Sequence, residues 1–446
     1  MSRAGAPVRR FGRMPRVRAL RNRLGRMPPV RALRNRFGPM PRVRALRNRL
    51  RLSPRTRVFD GNHVRLLAGG AEFFPALIAA IEGSRRQIHI ETYIIWPDDV
   101  GLRVVAALSA AALRGVAVRL VVDGYGGGEF ARELVTRLGA DGAEVRIYRR
   151  ERWWQRFGRH LFRRLHRKMV LVDDTIAFVG GINLIDDHTH PGSAAGDLGP
   201  RFDFAVVCEG PIVGPIGRAM KRLWWTRHPP GAPRGRRPRR QVMRQRTSPP
   251  FADGVPASLL LRDNLRHRRT IERAYLAAID GATREILITS AYFIPGRRFR
   301  NALEAAVARG VRVRLLLQGR IEYRLQHFAQ EALYDRMLAA GIEINVYEKS
   351  FLHAKAAVID DDWATVGSSN IDPFSLLLAR EANLCVRDRV FAGQLRGHLE
   401  TALIASSRRV LLTDHQRRPW FVRASRWLAL VAVRAAVQLV ASRRDY

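Results

Sequence analysis

Residues 166–181 read HRKMVLVDDTIAFVGG, and residues 353–369 read HAKAAVIDDDWATVGSS. Each begins His-x-Lys, reaches an Asp seven residues after the His, and passes through two short apolar runs separated by an acidic turn. Short apolar runs on either side of such a turn predict a β-hairpin. In extended backbone, residues i and i+2 project to the same face. His166 and Lys168 therefore point together, and so do His353 and Lys355. Each hairpin ends in small residues, Gly180–Gly181 and Gly367–Ser368–Ser369, which let backbone come close to a ligand. Asn183 and Asn370 follow them.

The sequence on either side repeats as well. AAIEGSRRQIHIETYII (79–95) has its counterpart in AAIDGATREILITSAYFI (277–294). A helical segment follows each, at 101–116 and 299–311. Then come the strands AVRLVVDG (117–124) and RVRLLLQG (312–319). Strands alternating with helices predict a layered α/β fold. The whole order occurs twice, so the expected architecture is two homologous α/β/α layered domains related by a pseudo-twofold axis. The boundaries expected are a disordered basic arm over 1–57, a first domain over 58–228, a Pro/Arg-rich linker over 229–250, a second domain over 251–412 and a basic amphipathic tail over 413–446. About such an axis, one patch from each half meets its counterpart. A motif present once per half then appears twice in one site.

Two ammonium groups beside two imidazoles make a phosphate site. The lysines stabilise charge on the non-bridging oxygens as phosphorus is attacked. One neutral imidazole can attack and form a phosphohistidine, while the other hands a proton to the leaving oxygen and later takes one from the incoming alcohol or water. The candidate catalytic residues are His166, Lys168, Asp173, His353, Lys355 and Asp360. A catalytic imidazole needs a carboxylate to fix its tautomer. Asp173 and Asp360 are one kind of candidate; Asp203 in RFDFAVVCEGP and Glu381 in REANLCVRD are the other, and the sequence leaves the pairing open. Asn183, Asn370, Ser368, Asp203 and Glu381 are expected to line the substrate pocket. Neither a metal nor a cofactor is expected, since lysine is a poor ligand. DDHTHPG (186–192) reads as a polar loop.

The formal net charge is +40 and calls for an anionic partner. Residues 1–57 hold 19 arginines and no acid, in a 13-residue repeat starting at Met14, Met27 and Met40; segment 229–250 adds seven arginines. Only Lys168, Lys221, Lys349 and Lys355 are lysines. Two of those four stand in the paired motifs, where an arginine is no substitute at a tight site. The two cysteines, Cys208 and Cys385, are too few for a disulfide framework and read as buried strand thiols. No apolar run reaches the length of a membrane span, and the basic start has no apolar core of the kind a secretory signal needs. RASRWLALVAVRAAVQLVASRR (423–444) suits a helix at a membrane interface or one packed on the enzyme. The Arg- and Trp-rich run 148–168 suits a headgroup-level surface or a partly buried helix.

With the doubled motif, ETYIIWPDDVG (91–101), VVDGYGG (121–127), CEGPIV (208–213), RDNLRHRRTIERAY (262–275) and WATVGSSNIDPFSLLLAREAN (363–383), the chain resembles the phospholipase D superfamily and, within it, the bacterial enzymes that make cardiolipin. The likeness runs from about Val58 to about Leu412. It implies transfer of a phosphatidyl group from one phosphatidylglycerol to another, giving cardiolipin and glycerol, with His166 as nucleophile and His353 as acid and base. It also implies a peripheral protein on the cytoplasmic face of the membrane, with anionic phospholipid and not nucleic acid as partner; oligomeric state stays open. The competing readings are a hydrolase using water as acceptor, a nuclease of the same superfamily, and a basic binding protein with an inactive site.

Overall fold

The computed structural model describes residues 57–149, 164–190, 198–226, 248–264 and 266–440. The expectations for the basic arm, for the run 150–163 and for most of the Pro/Arg-rich linker fall outside the described residues. The first half runs β1 (Phe59–Ala68), α1 (Gly69–Glu82), β2 (Gln87–Thr92), α2 (Asp99–Leu113), β3 (Ala117–Asp123), α3 (Phe130–Ala140), β4 (Glu144–Tyr148), β5 (Lys168–Val172), β6 (Ile176–Gly180), β7 (Phe204–Glu209) and α4 (Val213–Thr226). The second runs β8 (Val255–Arg262), α5 (Thr270–Gly281), β9 (Glu285–Ser290), α6 (Arg297–Ala308), β10 (Arg312–Gln318), α7 (Arg324–Glu331), α8 (Tyr334–Ala339), β11 (Glu343–Tyr347), β12 (Lys355–Ile359), β13 (Trp363–Gly367), α9 (Pro373–Leu377), β14 (Glu381–Arg387) and α10 (Arg389–Ala405). β15 (Ser407–Arg409), α11 (Leu412–Gln416) and α12 (Trp420–Val440) complete it.

Local chemistry sets these elements. The Asp98 side chain accepts from Gly101 N and starts α2, an Ala- and Val-rich helix. Gly115 ends it at φ +86, and Gly310 makes the same turn after α6 at φ +87, a conformation that suits glycine. Each glycine turns the chain into the next parallel strand. Side chains in β5 alternate faces: Met169 and Leu171 enter one core, Val170 and Val172 another.

The strands form a sheet in the order β15-β11-β10-β9-β12-β13-β14-β8-β1-β7-β6-β5-β2-β3-β4. Read outward from the antiparallel β1–β8 pair, the two sides match strand for strand, save for β15. β2, β3 and β4 are parallel, as are β9, β10 and β11; the motif hairpins are antiparallel. α1, α2 and α3 cover one outer face, and α5 to α8 cover the other. Between them, side chains of both halves and of α4 and α10 share one apolar core, which includes Met169, Val206, Ala356 and Leu384. The twice-repeated layered architecture expected from the sequence is the one observed. Cys208 and Cys385 are buried free thiols on β7 and β14.

The expected catalytic role of Asp173 and Asp360 needs correction. Both lie at the turn end of their hairpins, with φ of 52° and 48°. A strand rises about 3.3 Å per residue, so five residues put Asp173 about 16 Å along the chain from Lys168. Asp173 accepts hydrogen bonds from the amides of Arg85, Arg86 and Gln87 at 2.8 Å each. Asp360 accepts from those of Thr283, Arg284 and Glu285 at 2.8–3.0 Å. These amides hold both carboxyls below the usual carboxylate range, although burial pushes the other way. The two aspartates clamp the hairpin turn to the start of β2 and β9. No described helix is long and apolar enough to cross a membrane; α12 packs through Leu430 and Val433 onto the second-half core. Asp173→Ala or Asp360→Ala should lower unfolding free energy by about 1–3 kcal/mol in urea melts, and an unchanged midpoint in both would remove the clamp.

Candidate active site

The two halves are tied by backbone beside the motif histidines. His166 N donates to Arg380 O at 3.0 Å, and Arg380 N donates to Arg164 O at 2.8 Å. Symmetrically, His353 N and Ala354 N donate to Phe202 O at 2.9 Å, and Phe202 N donates to Phe351 O at 2.9 Å. The chain entering each motif strand is thus bonded to the residue preceding a carboxylate of the other half: Arg380 precedes Glu381, and Phe202 precedes Asp203.

That register crosses the carboxylates between halves. His166 Nδ1 lies 3.0 and 3.1 Å from the two oxygens of Glu381. His353 Nδ1 lies 2.6 Å from Asp203 Oδ2. Both carboxylates are buried. A carboxylate at Nδ1 fixes the tautomer and leaves Nε2 for a substrate.

The glycine turns make room for neighbouring side chains, Gly181 for the Asp203 carboxylate and Gly367 for the Asn383 amide. A Cβ at Gly181 would stand 2.3 Å from Asp203 Oδ1, and one at Gly367 would stand 2.3 Å from Asn383 Oδ1. The counterpart of Gly181 is Ser368, whose hydroxyl donates to Glu381 Oε2 at 2.6 Å. Asn183 Oδ1 accepts from Ile94 N at 3.2 Å, and Asn370 Oδ1 lies 3.5 Å from Ser290 Oγ. Their NH2 groups are what they have left to offer a substrate oxygen.

Lys168 Nζ donates to His166 O at 2.7 Å, and Lys355 Nζ donates to His353 O. Both are buried. Burial lowers Lys168 to about 7 and Lys355 to about 8; Glu381 and Asp203 act in the opposite sense on both. Burial also lowers His166, with Glu381 opposing and the lysine charges adding. It lowers His353 well below its ordinary value, and there both lysine charges and His166 add to the effect. Burial pushes Asp203 up to about 7 against the pull of Lys355. Each lysine thus acts on the imidazole of the other half, so the four groups share one electrostatic environment. Two ammonium groups in a site shielded from water suit an anion.

Sequence reasoning missed three supports. Asp123 Oδ2 accepts from Leu165 N at 2.8 Å, and Gln318 Oε1 accepts from Leu352 N at 3.0 Å, each fixing the residue before a motif histidine. The matching endings VVDG and LLLQG were the available signal. The Tyr93 ring lies 5.0 Å from the His166 ring, with Lys168 Nζ 5.4 Å from its centroid. Register places Ala291 at the matching point of the second half. Asp187, in the polar loop, accepts from Gly70 N.

Two inward His-Lys pairs, one from each of two like halves, define a phospholipase D-type site. The family model described as "Cardiolipin synthase, PLD-like domain" matches residues 77–191 and 275–403. The chain is 38% identical over 373 residues to cardiolipin synthase B of Escherichia coli K12, covering 81% of this chain and 85% of that protein. It is 32% identical to cardiolipin synthase A of Pseudomonas putida F1, over 75% of this chain and 67% of that one. The fold is similar to that of phosphatidylserine synthase from Haemophilus influenzae Rd KW20, with a TM-score of 0.63 and 12% identity, covering 89% of this chain and 99% of the other. The chain belongs to the cardiolipin synthase family of phospholipase D-like proteins.

Two outcomes follow from the geometry. The lysines must be cationic to hold an anion, and the charged fraction falls as pH rises through about 7 and 8. Sulfate binding, followed by calorimetry in buffers of different ionisation heat, should therefore take up protons at pH 8 and weaken about tenfold or more per pH unit above it. A flat profile would mean both lysines stay charged when the site is empty. Gly181→Ala, which drives a methyl into Asp203, should cut turnover about 10²-fold or more with the fold retained by circular dichroism; a rate near wild type would uncouple Asp203 from the chemistry.

Proposed function

We propose that this chain is a phosphatidyltransferase that joins two phosphatidylglycerols into cardiolipin and releases glycerol. The observation that carries it is the crossed pair of imidazole–carboxylate bonds, which puts two histidines with unlike partners in one site beside two lysines. His166 Nε2 attacks phosphorus of the first lipid. The P–N bond forms, the P–O bond to glycerol breaks, and His353 gives its Nε2 proton to the departing oxygen. His353 then takes the proton from the terminal hydroxyl of the second lipid, whose oxygen displaces His166. Lys168 and Lys355 hold the non-bridging oxygens, with the NH2 groups of Asn183 and Asn370 as further donors.

The lowered pKa values fit this order. Burial first and the lysine charges second keep His353 neutral, and an anionic diester offsets the lysine charges, which favours a proton there once substrate is bound. Unlike partners suit unlike tasks: Glu381, held by Ser368, supports the imidazole that becomes covalently charged, and Asp203 supports the one that trades protons. The lipid acceptor is supported by the names of the relatives and by the formal charge of +40, which favours an anionic membrane surface. The cytoplasmic face is where we place that surface.

Purified protein incubated with head-group-labelled and acyl-labelled phosphatidylglycerol should yield cardiolipin carrying both labels, with the head-group label divided equally between cardiolipin and free glycerol. Phosphatidic acid as the main lipid product would instead mark a hydrolase, and cleavage of plasmid DNA a nuclease. His166→Ala and His353→Ala should each lower product formation by about 10³-fold or more. Full activity in either would break the shared-site mechanism.

A further inference from the structure

The outward face of α12 is apolar but for Gln438. At about 100° per residue, Trp420, Phe421, Trp427, Leu428, Val431 and Leu439 fall within an arc of about 120°. Trp420 is 79% exposed, Trp427 60%, Leu428 60% and Leu439 75%. The opposite arc holds Leu430, Val433 and Val437, which are buried. The helix therefore has two apolar faces, of which the fold covers one.

The covered face ties α12 to the site. Arg426 Nε and Arg418 Nη1 lie 2.5 and 3.0 Å from Glu331 at the end of α7, and the Arg426 guanidinium lies 5.5 Å from the Phe328 ring centroid. Val437 packs with Leu378 against Phe374 and Leu377 of α9, the helix between Asn370 and Glu381. The segment leading into α7 forms a rim of the site. Tyr292 Oη donates to Glu322 at 2.7 Å, the Tyr292 and Tyr323 rings are 6.0 Å apart, and the charge of Glu322 acts on Lys355. On that rim Ile321, Tyr323 and Leu325 are about half exposed.

Charge decides what covers the free face. Besides Arg426, which Glu331 holds on the covered side, α12 carries Arg423 and Arg434 at the edge of the free arc and no acid, and Arg417 precedes it. A second copy docking there would bring arginines against arginines. Tryptophan at the edge of an apolar arc with arginine beside it is what the headgroup zone of an anionic bilayer accepts.

We propose that the outer face of α12 is a docking surface for an anionic phospholipid bilayer, and that it seats the Ile321–Leu325 rim of the site at headgroup depth. The proposal rests on the lipid substrate argued above. It makes α12 a means of presenting the site to bilayer lipid rather than a part of the chemistry.

The test compares wild type with the variant Trp420→Ala/Phe421→Ala/Trp427→Ala/Leu428→Ala. Flotation with vesicles of phosphatidylglycerol and phosphatidylcholine should show binding by wild type and at least about tenfold weaker binding by the variant. Turnover of long-chain phosphatidylglycerol in those vesicles should fall in step. Turnover of monomeric short-chain phosphatidylglycerol should stay within about twofold. Unchanged vesicle binding would overturn the proposal, as would a change in oligomeric state by light scattering with vesicle binding intact. Should the variant fail to fold, brominated lipid provides a second readout. It should quench wild-type tryptophan fluorescence, and the quenched signal should fall clearly in Trp420→Phe/Trp427→Phe; a quenched signal as large as in wild type would overturn the proposal. If wild type binds vesicles but does not convert short-chain phosphatidylglycerol, the functional reading fails and the docking surface stands.

Discussion

The exchange of carboxylates between halves is the constraint on which the rest of the structure depends. Glu381 must reach His166, and Asp203 must reach His353. Neither is possible unless the ends of β5, β7, β12 and β14 come together. The backbone bonds at Arg380 and Phe202 bring this about without side chains. The shared apolar core beneath them supplies the burial that holds the sheets in that relation. The arrangement gathers two buried lysines, two imidazoles and two buried carboxylates. Desolvating such groups is costly unless each is paired. Each lysine has a carbonyl and each imidazole a carboxylate.

That pairing leaves the ammonium groups and imidazoles buried, and burial is the first cause of their perturbed titrations, with the two lysine charges adding to it at the imidazoles. Lys168 and Lys355 sit far below the ordinary lysine value, and both imidazoles are pushed toward neutrality. Groups strained in this way are relieved by a bound anion. A bound diester would bring negative charge to these groups, so binding and proton placement are expected to be linked.

Much of this was legible in the sequence. The doubled His-x-Lys spacing gave the four inward groups, and the repeated strand–helix order gave the two halves. Asp173 and Asp360 misled because a motif written on one line is not one cluster in space. A strand carries its first and last residues to opposite ends, and these aspartates fasten turns. The crossing itself had no local signal. Asp203 and Glu381 stood out as candidates, but which imidazole each meets depends on how the halves pack. Gly181 read as room for ligand and proved to be room for Asp203, since a glycine declares space without naming its occupant. In α12 the buried and exposed apolar arcs are both hydrophobic, and only the folded neighbours α7 and α9 tell them apart.

The unequal neighbours of the two imidazoles have a consequence for how such a molecule could arise. A symmetric pair of single halves would already cross its carboxylates, since each copy would lend one to the other. Its two imidazoles would then be identical, and nothing would decide which forms the covalent bond. Joining the copies end to end lifts that degeneracy. Once fused, one side can keep glycine and aspartate while the other takes serine and glutamate, and Tyr93 can stand where the sister half has alanine. Fusion lets inherited symmetry fix the positions of the reacting groups while local divergence gives each its separate task.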